Sequence, residues 1–130
     1  MLNVLIVDDS RVFRRCLDLR LRIERSINVV GMAKNGQEAV LLAEKLRPDV
    51  ILMDQNMPVL NGVEATKEIK RDFPGVRIIF VTAEITARSQ ALKAGAEAFL
   101  LKDQDFNELM AMWREAGDVV MSPASFVFPA

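Results

Sequence analysis

Asp8, Asp9, Asp54, Thr82 and Lys102 are the residues of this 130-residue sequence whose types could do chemistry together. Each ends or follows a short apolar run: LNVLIV before Asp8, VILM before Asp54, IIFV before Thr82, AFLL before Lys102. If those ends meet, three carboxylates share one crevice. Two unit charges about 4 Å apart repel by roughly 4 kcal/mol at an effective dielectric near 20, so such a cluster needs protons or a cation. With no histidine and a single cysteine, the donors are oxygens only. The matching ion is hard, Mg²⁺, which takes one or two carboxylates and keeps several waters. Lys102 adds a movable positive charge for an anionic group, and Thr82 a hydroxyl donor. A divalent ion, a lysine and a hydroxyl around one carboxylate are the parts that phosphoryl transfer needs, and the carboxylate itself can be the nucleophile, giving an aspartyl-phosphate. Singly, each residue has a plainer reading. Asp8-Asp9-Ser10 would serve as a strand-to-helix turn and cap, Asp54 as a turn carboxylate, Thr82 as a strand residue and Lys102 as a solvated lysine.

The elements that must bring them together are legible as an alternation. Runs rich in Val and Ile at Leu2–Val7, Ile27–Gly31, Val50–Met53, Val76–Val81 and Ala98–Leu101 are mostly continuous, as expected of strands covered on both faces. Helical periodicity fills the intervals. After Ser10 as cap, Val12, Cys16, Leu19 and Ile23 share one stripe, widened by Phe13 and Leu17, with Arg20 snorkelling from within it. Cys16 then reads as inert core. A second helix follows Asn35-Gly36, buries Ala39, Val40, Ala43 and Leu46, and stops at Pro48; a third spans about Gly62 to Asp72. The fourth, about Glu84 to Ala94, has little to bury beyond Ile85, Ala87, Ala91 and Leu92; the fifth places Phe106, Leu109, Met110 and Trp113 at i, i+3, i+4, i+7. Five strand–helix units in strict alternation predict an α/β fold, a doubly wound five-stranded parallel sheet of order 2-1-3-4-5. In such a sheet the carboxyl ends of all strands lie along one edge, and that topology makes the five polar residues converge. Residues 1–117 form one domain on this reading, and residues 118–130 a tail or interdomain linker stub.

Composition narrows the functional classes. Seventeen Lys and Arg against eighteen Asp and Glu leave a net charge of −1, too little for nonspecific nucleic-acid or membrane binding. One cysteine can form no internal disulfide or thiolate cluster, which fits a reducing cytoplasmic setting. No apolar run approaches the roughly 18 residues of a membrane span, and two aspartates come too early for a signal peptide.

LIVDDS, ILMDQNMPVLNG, IIFVTAE and AFLLKD, in this order and on these elements, resemble the receiver domain of two-component response regulators over about residues 1–117. The resemblance implies the flavodoxin-like receiver fold and makes Asp54 the phosphorylation site, its donor a sensor histidine kinase. It places Mg²⁺ on Asp9, Asp54 and the backbone carbonyl of Asn56, with Asp8 acting through water. Thr82, Lys102 and the backbone N–H of Ala83 would take the phosphoryl oxygens. Thr82 and Phe99 would form the switch that alters the surface of the fourth helix, fifth strand and fifth helix. Asn56 and Glu84 occupy the positions that set phosphate lifetime, a pair similar to that of the single-domain chemotaxis regulator and implying a comparatively short-lived phosphoryl group.

Asp103 stands after Lys102 where many receivers carry proline, so a cis X–Pro bond is not assumed there. The Lys-Asp form and the stretch GDVVMSP resemble the branch with a helix-turn-helix output domain, implying control of transcription through a DNA-binding domain beyond this chain. A stand-alone receiver acting by protein contacts is the alternative, and homodimerisation on phosphorylation is open in either case. A Mg²⁺-dependent phosphohydrolase with an aspartate nucleophile is a further alternative; it would need an acid where Asn56 stands and a capping insertion that these short connections lack. A flavin or nucleotide carrier is disfavoured by the want of a Gly-rich or aromatic-rich loop at the strand ends. The chain is thus expected to be a switch and not a turnover enzyme, apart from slow loss of its own phosphoryl group.

Overall fold

The computed structural model describes residues 1–102. Strand β1 (Leu2–Val7) is followed by α1 (Arg11–Arg22), β2 (Ile27–Ala33), α2 (Gly36–Leu46), β3 (Val50–Met53), α3 (Gly62–Asp72), β4 (Arg77–Thr82), a 3₁₀ turn (Ile85–Ala87), α4 (Arg88–Ala94) and β5 (Ala98–Leu101). The strands form one parallel sheet in the order β2-β1-β3-β4-β5, as the alternation predicts. The fifth helical segment, Asp103 and the tail from 118 onward lie outside the described residues.

Successive side chains of a strand point to opposite faces, so a sheet covered on both sides needs two apolar sets. Leu2, Val4 and Ile6 of β1 join Val50, Leu52, Ile79, Val81 and Leu100 beneath α1. Leu5, Val7, Ile51, Met53, Ile78 and Phe80 face α2, α3 and α4 on the other side. The central strands β3 and β4 are buried almost throughout, whereas the edge strand β2 is half exposed.

The caps are local chemistry. Ser10 accepts a hydrogen bond from the Phe13 N–H, and Asn35 accepts one from Glu38. Asn61 and Glu64 form a reciprocal capping box at the start of α3. Arg47 ends α2 in a left-handed conformation (φ 48°), its guanidinium 4.2 Å over the Phe73 ring.

The stripe expected on α1 is on the wrong side. Val12, Leu19 and Ile23 are 73%, 64% and 76% exposed, and Cys16 is exposed too, so it is no core residue. The buried side is Leu17 and Leu21, with Phe13 packed beside them. Phe13, Leu17 and Leu21 recur at i, i+4, i+8, one residue out of phase with Val12 and Cys16. Two apolar stripes about 100° apart are equally periodic, and only contact with Leu2, Val4 and Ile6 decides which faces the sheet. Over the 3₁₀ turn and α4, likewise, Ala87 and Ala91 are buried while Ile85 and Leu92 remain exposed.

Thr66, on α3, is fully buried and its hydroxyl has no hydrogen-bond partner. Thr66→Val keeps the shape and removes the stranded dipole. It is expected to raise stability by about 1 kcal/mol, read as a higher urea midpoint at unchanged slope; a lower midpoint would show that the hydroxyl is satisfied.

Candidate functional site

Parallel pairing places the end of β1 beside the end of β3. Val7 pairs with Met53, and the Asp54 N–H donates to the Val7 carbonyl at 3.0 Å. Strand order reverses about β1, and the crevice outside the strand ends opens there. Asp8, Asp9 and Asp54 each bring a carboxylate oxygen to within 4.8 Å of the others. Asp8 and Asp54 are buried, 2% and 5% exposed, while Asp9 is exposed.

From the far strands come the other members. The Lys102 N–H donates to the Thr82 carbonyl at 3.0 Å, joining the ends of β4 and β5. Lys102 Nζ lies 2.8 Å from Asp8 Oδ2 and 3.6 Å from Asp54 Oδ2. Thr82, 1% exposed, hydrogen-bonds the Asp54 carboxylate. The five residues singled out by type are therefore brought together. Burial pushes the Asp54 carboxyl above its ordinary range; the Thr82 bond opposes this, the Asp8 charge adds to it, and Lys102 and the Gln55 N–H pull it back.

The loop after β3 is held firmly. Gln55 N–H donates to Asp54 Oδ1 at 2.9 Å, Gln55 Oε1 accepts from Val63 N–H at 2.9 Å, and Gly62 N–H donates to the Gln55 carbonyl at 3.0 Å. Asn56 and Ala83 are exposed at the same edge, and the Asn56 side chain hydrogen-bonds Glu84. Glu84 is held below the usual carboxylate range, chiefly by Thr86 and then by Asn56. Phe99 is half-buried and stacks on Phe80, ring centroids 6.0 Å apart.

Three neighbours escape a reading of residue types. The Phe13 ring sits under the Lys102 ammonium at 4.3 Å, Arg14 Nη1 donates to the Asp8 carbonyl at 2.7 Å, and Thr86 bonds Glu84. Phe13 and Arg14 occupy the first turn after Asp8-Asp9, so their position next to the strand end was the available signal. They leave Lys102 held between a carboxylate and an aromatic face. Lys102→Ala takes the counter-charge from two buried acids. It is expected to cost about 2 kcal/mol of stability in metal-free buffer, part of it recovered by added Mg²⁺, as thermal unfolding would show.

The donor set suits a hard divalent cation: oxygens only, three carboxylates within reach of one another, and a single lysine that leaves two of their negative charges unbalanced. Among the described residues no helix is long and apolar enough to cross a membrane.

Comparisons with known proteins agree with this geometry. Residues 4–114 match the family described as the response regulator receiver domain. The transcriptional regulatory protein LnrK of Bacillus subtilis is 36% identical over 127 residues, covering 95% of this chain and 58% of LnrK. A protein-glutamate methylesterase/protein-glutamine glutaminase of Methanospirillum hungatei is 43% identical over 121 residues, 85% of this chain and 34% of that protein. The chain thus spans between a third and three-fifths of these relatives. The response regulator domain of Thermotoga maritima CheB superposes with a TM-score of 0.79 at 38% identity, covering 92% of this chain and 98% of that one. Motifs, strand order and the strand-end constellation converge on one conclusion: the chain belongs to the response regulator receiver domain family, the phosphoacceptor signalling module of two-component systems.

Proposed function

We propose that Asp54 receives the phosphoryl group of a sensor histidine kinase and that the pocket around it is the chemical half of a switch. The observation that carries this is the convergence of Asp8, Asp9 and Asp54 beside Lys102 at the strand ends. An Asp54 carboxylate oxygen attacks phosphorus, the N–P bond of the donor's phosphohistidine breaks, and its electron pair stays on the imidazole, which takes a proton from water. Asp9, Asp54 and the Asn56 carbonyl would hold Mg²⁺ directly and Asp8 through water; when bound, Mg²⁺ supplies positive charge against the phosphoryl oxygens. Lys102 meets another of these oxygens by giving up part of its contact with Asp8. Thr82 and the Ala83 N–H donate to the rest.

Moving Thr82 toward the phosphoryl group frees space beneath the end of β4, and Phe99 follows it; the stacking of Phe99 on Phe80 supports this reading. The surface of α4 and β5 then changes. The thin apolar anchoring of α4, with Ala91 its one buried residue, suits a displaceable element. Asn56 and Glu84 at the mouth govern how long the phosphoryl group survives. LnrK's role as a transcriptional regulator supports a transcriptional output through a DNA-binding part, with DNA contacted by that part alone. Phosphorylation-dependent pairing of two receivers in the cytoplasm is part of the same reading.

Incubation with a small acyl-phosphate donor should add one phosphoryl group to the intact mass in the presence of Mg²⁺ and none with a chelator. Uptake that ignores the metal, or turnover of a phosphate monoester, would refute the reading.

A further inference from the structure

Two residues beyond Glu84, Thr86 directs both its hydrogen-bond donors at one oxygen of that carboxylate. Thr86 Oγ1 lies 2.6 Å from Glu84 Oε1, and the Thr86 backbone N–H donates to the same atom at 3.4 Å. The Asn56 side chain hydrogen-bonds Glu84 from the loop after β3, and the Glu84 N–H donates to Thr82 Oγ1 at 3.3 Å. Thr82 in turn bonds Asp54. A continuous chain of contacts thus runs from the buried carboxylate to an exposed threonine. Neither loop alone would hold a glutamate here, because a free Glu side chain has rotatable bonds to spend and water to bond with.

We infer that Thr86 is a positioning residue that pins the Glu84 carboxylate across the mouth of the Asp54 pocket, where it orients the water that removes the phosphoryl group. The inference rests on Asp54 being the phosphoacceptor. In the hydrolytic step the water oxygen bonds to phosphorus as the P–O bond to Asp54 Oδ breaks; the electron pair returns to the Asp54 carboxylate, inorganic phosphate leaves and the proton passes to solvent. With Thr86 occupying Oε1, Glu84 keeps acceptor capacity for one water hydrogen.

The test uses the chain loaded with a small acyl-phosphate donor and Mg²⁺, freed of donor, and followed by intact mass. Thr86→Val removes the hydroxyl and keeps the shape. It should slow phosphoryl loss about three- to tenfold, the range one lost hydrogen bond can give. Thr86→Ser, which keeps the hydroxyl, should decay close to the wild-type rate. In a Glu84→Ala background, Thr86→Val should add nothing. An unchanged or faster decay in Thr86→Val, or the same slowing with Glu84 absent, overturns the inference while leaving Asp54 as acceptor. Failure of the wild type to load at all appears before any decay is followed, and sinks the acceptor assignment and the inference together.

Discussion

Asp54→Asn should take up no phosphoryl group and, in buffer free of divalent cations, should unfold at a higher temperature than the wild type at neutral pH. The two effects share a cause. A carboxylate buried beside another carboxylate is needed for attack on phosphorus, yet it costs stability while it waits. Burial first, and the Asp8 charge with it, raise the Asp54 carboxyl above its ordinary 3.8 despite Thr82 and Lys102. A carboxyl raised in the folded state favours folding when protonated. Its stabilising contribution is complete below the unfolded value near 3.8 and is lost as pH rises through the higher folded value. Asparagine carries no charge at any pH. The variant's advantage should therefore be absent in acid, grow across that window and level off toward neutrality. Melting temperatures taken from pH 3 to 8 would show it. An advantage independent of pH would mean that ionisation of Asp54 is not the source. Added Mg²⁺ should narrow the difference, because the wild type offers the ion one more carboxylate than the variant and gains more stability from binding it.

Gly62→Ala carries the second large effect. A Cβ at this position would stand 2.3 Å from the Asp54 carbonyl oxygen and 3.0 Å from the Phe80 ring. The first of these is backbone, fixed by the β3–β1 ladder and by Gln55, and cannot yield without moving Asp54 itself. Alanine regains up to about 1 kcal/mol of helix propensity, which the clash exceeds. The net loss should be roughly 2–3 kcal/mol, with slower phosphoryl uptake as Asp54 shifts. Gly75 is the control: nothing lies within 4 Å of its Cβ position, so Gly75→Ala should be neutral or slightly stabilising. Urea unfolding of the pair checks both, and equal midpoints would contradict the packing argument.

Legibility in the sequence follows where the information is local. β1, β3 and β5 begin and end where their Val, Ile and Leu runs do, and β4 is displaced by one residue, since a continuous apolar run bounded by turn residues allows little slippage. Asp8, Asp9, Asp54, Thr82 and Lys102 were found because topology, once inferred, sends every strand end to one edge. The buried side of α1 was not legible. Val12 and Phe13 begin stripes of equal period, and tertiary contact alone chooses Leu17 and Leu21 over Cys16 and Leu19. The neighbours that tune the site were hidden for a related reason. Phe13 reads as packing, and Thr86 as one more position within the expected fourth helix, until the fold sets one under Lys102 and the other against Glu84. The Asn61 cap of α3 was equally unspecific in sequence, being recognisable only through its reciprocal bond with Glu64.

Loss of uptake in a variant is indirect, since a disturbed pocket would also fail. The direct measurement is reductive trapping of the loaded wild-type chain with borohydride, which converts an aspartyl-phosphate to homoserine, followed by peptide sequencing. Homoserine is expected at position 54 and nowhere else. Homoserine at position 8 or 9, or a phosphoryl group recovered on nitrogen, would contradict it.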